Sequence, residues 1–297
     1  MGTPHYAREI LESLIKAEDM EVVLVLTQPD RPVGRKKVLT PPPVKVLAEE
    51  HGIEVLQPNR LSDEGMFEAI QEASPDYIIV AAFGQILPKN ILDIAPCINL
   101  HASLLPQYRG ASPVQQSLLN GDAKSGVTSM LMEEGLDTGD ILETVEFVIP
   151  EEMRLHALMQ QLTNDACELT LSTVRNFDTI TPQKQDENQA TLCKKIKKSD
   201  GAVDFEDAVS IYNKYRAFEG WPGIFFNNGT KFDGVTLADK EVSHKSYEIL
   251  AFEDEAAIVG CTKGALKIET LQPASKKAMT AKAYCVGRGL KVGNSII

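Results

Sequence analysis

The sequence predicts an α/β domain with a mostly parallel sheet and helices on both faces, followed by a small β-barrel domain. Three observations point there. Short apolar, β-branched runs alternate with helical periodicities through residue 177, the pattern of strands buried between covering helices. A polar stretch at 178–200, DTITPQKQDENQATLCKKIKKSD, breaks that pattern and reads as a linker. After it come one helix and several short β-like runs separated by Gly, Asn and Asp, as in a small barrel. Domains are therefore expected at 1–177 and 201–297, and no internal repeat is present.

Each element has its own reason. Residues 5–18 carry Ile10, Leu11, Leu14 and Ile15 at helical spacing. EVVLVLT (21–27) is a strand buried on both faces, and the Pro-, Arg- and Lys-rich residues 28–42 form a loop. A helix over 44–51, a strand at 53–57 and a helix over 63–73 follow, then the buried strand DYIIVAAF (76–83). A short helix near 88–94 leads into CINLH (97–101), and another helix covers 112–120. GVTSMLM (126–132) and the partly alternating DILETVEFVI (140–149) are strands, and 154–177 is a long helix. Beyond the linker are a helix (206–217), a WPG turn (221–223), and runs near 224–227, 230–237, 246–252, 256–261 and 264–271.

Composition excludes several classes. No run approaches the roughly 18 apolar residues of a membrane span, and MGTPHYAREI has no secretory n- and h-region. The five cysteines are an odd number, far apart and without a CxxC pair, which speaks against zinc or a disulfide framework. No metal is expected, and a reducing, cytoplasmic compartment fits. The net charge of -12 opposes nucleic-acid binding on its own, but the charge is uneven. Residues 30–45 hold Arg31, Arg35, Lys36, Lys37 and Lys45 against Asp30 alone. Residues 263–297 hold seven Lys or Arg against Glu269. Local basic strips can still grip RNA, because attraction is felt within about 8–10 Å.

The densest chemistry lies in CINLHASLLPQYRGASPVQ (97–115). A strand ending near Leu100 puts Asn99 and His101, two residues apart, on one face of its tip. The Asn amide can donate to an oxyanion, and His can carry a proton near neutral pH. GLDTGD (135–140) supplies Asp137 on a turn between two strands. No GxSxG is present, and no cysteine adjoins these residues in sequence. Asn, His and Asp without a nucleophile suit direct acyl transfer, in which the acceptor attacks, the oxyanion is held and protons are shuttled. Taken singly, each is more often a turn, cap or structural residue; the combination with SLLPQYRG carries the signal.

NLHASLLPQYRGASP followed by GLDTGD resembles the folate-dependent formyltransferase family, whose core pattern is Asn-x-His-x-Ser-Leu-Leu-Pro plus a later Asp. The resemblance implies a Rossmann-like catalytic domain, an OB-like C-terminal domain and 10-formyltetrahydrofolate as cosubstrate. It implies Asn99, His101 and Asp137 as the catalytic trio, with Asp137 orienting His101. Ser103, Leu104, Leu105 and Pro106 would line the folate site. Phe83, Gly84, Gln85, Ile86 and Leu87 would hold the pterin through backbone contacts.

Segments outside the core discriminate among acceptors. LTQPDRPVGRKKVLTPPPVKVLAEEHGIEV (26–55), WPG and LQPASKKAM (271–279) resemble the branch of the family that formylates initiator methionyl-tRNA. Carried over, Arg31, Arg35, Lys36 and Lys37 would meet the acceptor stem. Lys194, Lys195, Lys197 and Lys198, with Lys276 and Lys277, would follow the tRNA backbone. An amino-sugar nucleotide is the alternative acceptor, but an enzyme for it has no reason to carry the basic loop. A glycinamide-ribonucleotide enzyme would stop near the linker. A non-catalytic RNA-binding protein has no reason to keep the trio, and a folate hydrolase none to keep the loop. A nicotinamide oxidoreductase would need GxGxxG after the first strand, and none is present. No membrane and no obligate protein partner are expected.

Met1 stands directly before Gly2-Thr3-Pro4, a triplet that in the resembled family follows the first strand. That strand, central in a doubly wound sheet, is expected to be missing here, and a short apolar extension upstream of Met1 is the matching expectation. Each buried backbone group left unpaired costs about 1–3 kcal/mol.

Overall fold

Helices and strands alternate up to residue 176, and the remainder is rich in sheet. The computed structural model describes residues 1–34 and 36–297, so Arg35 lies outside the described residues. Two compact units are present. One comprises residues 1–113, 124–149 and 158–194; the other comprises 114–123, 150–157 and 195–297.

In the first unit, His5–Lys16 buries Tyr6, Ala7, Ile10 and Leu11, the face its periodicity predicts. Val25–Leu26 pairs in parallel with Val55–Leu56. A separate four-stranded sheet runs in the order Ile78–Val80, Cys97–His101, Lys124–Leu131, Ile141–Val148. Its first pair is parallel and the other two are antiparallel. The short loop from Leu131 to Ile141 cannot make a parallel crossover, so the last two strands form a hairpin. Leu155–Asn176 buries Leu158, Leu162, Ala166 and Leu169 at three- and four-residue spacing. Cys97–His101 is buried throughout, which places its polar residues at the most protected tip in the sheet.

Pairing of the expected strand 21–27 is confined to Val25–Leu26. Between it and Ile78–Val80 the sheet is interrupted. Gly2 N donates to the Leu26 carbonyl at 3.0 Å, and Ala81 N donates to the Met1 carbonyl at 3.0 Å. The Met1 amino group donates to the Ile79 carbonyl at 2.6 Å. Alongside lies a cavity of about 490 Å³, lined by Leu11, Val22, Leu24, Ile70, Ile79 and Val174 among others. A strand is registered only where a partner backbone reaches it, and residues 21–24 border this cavity instead.

Three further expectations are corrected locally. The loop 28–42 contains a hairpin, Arg31–Val33 against Val38–Thr40, with Arg31 opposite Thr40. Val33, Val38 and Leu39 suit strands and Gly34 supplies a positive φ; the Pro and Lys content hides this. The helix expected at 63–73 is Met66–Glu72, because Gly65 at φ 83° cannot be its first turn. Leu192–Cys193, in the expected linker, is a strand parallel to Arg109–Gly110.

The second unit is built on a seven-stranded sheet. Lys231–Asp239 and Ala265–Gln272 pair antiparallel at its centre. Phe205, Phe226, Phe232 and Tyr247 stack beneath it, with ring centroids 4.7–6.2 Å apart. Ala208–Ala217 starts where the Asp207 side chain accepts from Ser210 N at 2.8 Å. Ala281–Val286, too short to show a period, was not legible in the sequence. Among the described residues no helix is long and apolar enough to cross a membrane.

Candidate active site

Cys97–His101 pairs with Ile78–Val80 on one side and Lys124–Leu131 on the other, so its side chains are fixed in direction. Asn99 and His101 point to the same face at its end, and both are buried. The turn after Leu131 brings Asp137 to them. Asp137 takes the left-handed conformation, φ 54°, which an Asp tolerates better than most residues. Gly139 makes room for the return, since a Cβ there would collide with the Leu131 carbonyl.

The three side chains meet. Asn99 Nδ2 donates to Asp137 Oδ1 at 3.4 Å. His101 Nδ1 lies 3.8 Å from Asp137 Oδ2. Asp137 Oδ2 also accepts from Gly110 N at 2.8 Å. His101 Nε2 sits 2.9 Å from the Tyr108 carbonyl, which can only accept, so Nε2 carries a hydrogen and Nδ1 faces the carboxylate. Tyr108 at φ 61° and Gly110 at φ 123° bend the chain so that both backbone groups aim inward. A Cβ on Gly110 would strike the Cys193 carbonyl.

The Ser103–Pro106 segment is built into the sheet rather than free. Thr128 Oγ1 donates to the Ser103 carbonyl at 2.7 Å and accepts from Leu105 N at 3.1 Å. Ser103 Oγ donates to the Gln107 carbonyl at 2.7 Å. Leu105 is buried, while Leu104 and Pro106 are half-buried. In the other segment, Phe83 and Leu87 pack into the core with Leu61 and Ile91. Gln85 ties down the 58–61 loop, accepting from Leu61 N and donating to the Pro58 carbonyl. Gly84 is exposed and Ile86 is 81% exposed. Both segments therefore offer mainly backbone and apolar surface.

Cys193 adjoins the site in space, although no cysteine does in sequence. Its Sγ donates to the Tyr108 carbonyl at 3.2 Å and accepts from Ser112 N at 3.3 Å. Burial pushes its thiol up, and the charge on Asp137 adds to this. A thiol so held is a poor nucleophile. Sequence reasoning also missed the Tyr108 carbonyl and the Gly110 amide, which no side-chain motif reports. It missed Arg109 and Gln185 as well; the first lies within the core motif and the second in an unremarkable polar stretch.

Of the basic residues, Arg31 begins the hairpin and donates to Gln28 Oε1 at 2.9 Å. Lys36 and Lys37 are exposed at its tip. Asp30, the lone acid of that strip, is bound by Gln57 Nε2 at 2.8 Å and Lys45 Nζ at 3.1 Å. Those bonds hold its carboxyl below the usual range, Gln57 contributing most. Lys194, Lys195, Lys197, Lys198, Lys276 and Lys277 are all exposed.

The chain was compared with known proteins. Residues 1–174 match the model of the formyl transferase family, and residues 195–289 match that of the formyl transferase C-terminal domain. The chain is 77% identical over 297 residues to the methionyl-tRNA formyltransferase of Sulfurovum sp. (strain NBC37-1), covering 100% of this chain and 98% of the relative. Among solved structures, the N-formyltransferase from Helicobacter canadensis, in complex with folinic acid and dTDP-3-aminofucose, superposes with a TM-score of 0.67 at 19% identity, over 90% of this chain and 96% of that one. HypX from Aquifex aeolicus in complex with tetrahydrofolic acid superposes with a TM-score of 0.59 at 21% identity, over 90% and 47%. These two likenesses concern the fold. Matched by family models along nearly its whole length and by a relative of such high identity, the chain belongs to the formyl transferase family.

Proposed function

We propose that the chain transfers the formyl group of 10-formyltetrahydrofolate to the amino group of methionyl-initiator-tRNA, in the service of translation initiation. The observation that carries this is the meeting of Asn99, His101 and Asp137 at one strand tip. The high identity to a methionyl-tRNA formyltransferase supports the acceptor. Folates bound to two proteins of the same fold support the donor. The Ser103–Pro106 and Phe83–Leu87 segments, with backbone and apolar surface on offer, suit a flat pterin that is recognised through main-chain hydrogen bonds.

When the acceptor amine attacks the formyl carbon, negative charge develops on the formyl oxygen. Asn99 Nδ2 has two hydrogens; one is directed at Asp137, and the other serves that oxygen. His101 has its ring plane set by the Tyr108 carbonyl, and in its protonated form it adds a second stabilising charge. Asp137, itself held by Gly110 N, orients both partners and offsets the positive charge that builds on the amine as it attacks. The amine then loses a proton, the bond from the formyl carbon to the folate nitrogen breaks, and that nitrogen takes up a proton as tetrahydrofolate leaves. Arg31, Lys36 and Lys37 on the hairpin, together with Arg35, grip the acceptor stem. Lys194, Lys195, Lys197 and Lys198, with Lys276 and Lys277, contact phosphates, which needs spaced cations and no base readout.

The test is acceptor competition. Labelled 10-formyltetrahydrofolate is offered charged initiator methionyl-tRNA, free methionine and an amino-sugar nucleotide in turn. Label is expected on the charged tRNA alone. Label on the sugar nucleotide alone would reassign the acceptor.

A further inference from the structure

We propose that Gln185 is a positioning residue for Asp137, clamped in place by the buried Arg109 and by Glu187. This rests on Asp137 belonging to the transfer machinery. Asp137 sits on a left-handed backbone at the apex of a turn, and its carboxylate must be steady to within a fraction of an ångström to serve Asn99 and His101. Three hydrogen bonds to the turn do that work. Gly110 N holds the carboxylate. Gln185 Nε2 holds the backbone, donating to the Asp137 carbonyl at 2.9 Å and to the Gly139 carbonyl at 2.7 Å. Both amide hydrogens of Gln185 are thereby used on the two carbonyls that flank Thr138.

The orientation of that amide is forced. Its Oε1 accepts from Arg109 Nε at 3.0 Å and from Arg109 Nη2 at 2.9 Å. A guanidinium can only donate, so the amide cannot flip without setting donor against donor. Arg109 is 4% exposed and is pinned in turn by Glu187, whose two oxygens take Nη1 at 3.0 Å and Nη2 at 2.7 Å. The neighbouring backbone closes the arrangement: Gln183 and Ile141 exchange both backbone hydrogen bonds at 2.8 Å, and Leu192–Cys193 pairs with Arg109–Gly110. Residues 183–193 thus brace the aspartate turn and the Gly110 amide together. Gln185 itself bonds the turn and not Asn99 or His101, among the described residues, so it acts through Asp137.

The discriminating substitution is Gln185→Glu. It keeps an oxygen for Arg109 but turns a second oxygen, in place of two donors, toward the two carbonyls. Single-turnover formyl transfer to methionyl-tRNA is measured for the wild type, Gln185→Glu, Asp137→Asn and the double variant, with thermal melts of each. Gln185→Glu is expected to lower the transfer rate about tenfold, with KM for donor and tRNA within about threefold of wild type. In the Asp137→Asn background the same change is expected to cost less than about twofold, because the residue it positions is already disabled. Should Gln185→Glu fold poorly, Glu187→Gln loosens the same clamp from its exposed end. It is expected to show a loss of about threefold that also vanishes beside Asp137→Asn. An equal loss in both backgrounds, or an unchanged rate in both clamp variants, overturns the positioning role. A wild type that transfers no formyl group overturns the proposed function and this inference together. Transfer by the wild type with an insensitive clamp overturns the inference alone.

Discussion

Asn99 and His101 show how far two side chains can be read from spacing alone. Their alternation on an apolar strand puts them on one face, and the structure keeps them there, buried side by side with Asp137. The groups that steer them were not legible. The Tyr108 carbonyl and Gly110 amide are main-chain atoms turned inward by positive φ values, and Gln185 is one amide among many in a polar stretch. On the proposed mechanism, removing His101 takes away a stabilising group at the oxyanion while leaving the exposed basic residues untouched. His101→Ala is therefore expected to lower transfer by about 10²–10⁴-fold with tRNA affinity unchanged, checked by single-turnover rates beside filter binding. Gly139→Ala should disturb the same site through the backbone. Its Cβ would meet the Leu131 carbonyl, and rate and melting temperature are expected to fall together.

At the scale of elements, helices follow the apolar periodicity, whereas the hairpin Arg31–Val33/Val38–Thr40 was concealed by its own prolines and basic residues. Prolines and lysines signal loop, yet Val33, Val38 and Leu39 among them lie in the paired strands. Charge reversal at Arg31, Lys36 and Lys37 is expected to weaken tRNA binding. The salt slope should fall by about 0.7–0.9 for each phosphate no longer neutralised, read from binding isotherms across a salt series. A separate ion pair joins Arg175, near the end of Leu155–Asn176, to Asp19 beyond His5–Lys16, with both bonds at 2.8 Å. The Arg175 hydrogen bond is the main reason the Asp19 carboxyl is lowered from 3.8 to about 2. A depressed carboxyl stabilises the fold fully above its unfolded value and loses that contribution as pH falls through its folded one. Asp19→Asn should therefore differ from wild type above pH 4 and converge with it near pH 2 in denaturant midpoints. Both groups are exposed, so the difference is expected to be small.

For the whole molecule, an α/β fold followed by a sheet-rich region was legible because strand–helix alternation gives way to short β runs after a polar stretch; the observed units divide elsewhere as well, with residues 114–123 and 150–157 grouped with the second. The role of the polar stretch was not legible: residues 183–193 carry no apolar signal, yet they brace the aspartate turn. A net charge of -12 with exposed lysines at 194–198 and 276–277 predicts RNA binding that is local and strongly salt-dependent rather than driven by overall charge. The central claim is that Asn99, His101 and Asp137 form one centre that passes a formyl group to a charged tRNA. The most direct measurement mixes excess protein with labelled 10-formyltetrahydrofolate and methionyl-initiator-tRNA, and follows label onto the tRNA for the wild type, Asn99→Ala, His101→Ala and Asp137→Ala. Rapid labelling by the wild type, and near-total loss in each variant with tRNA still bound, is the predicted result. Labelling that survives any two of these substitutions would contradict it.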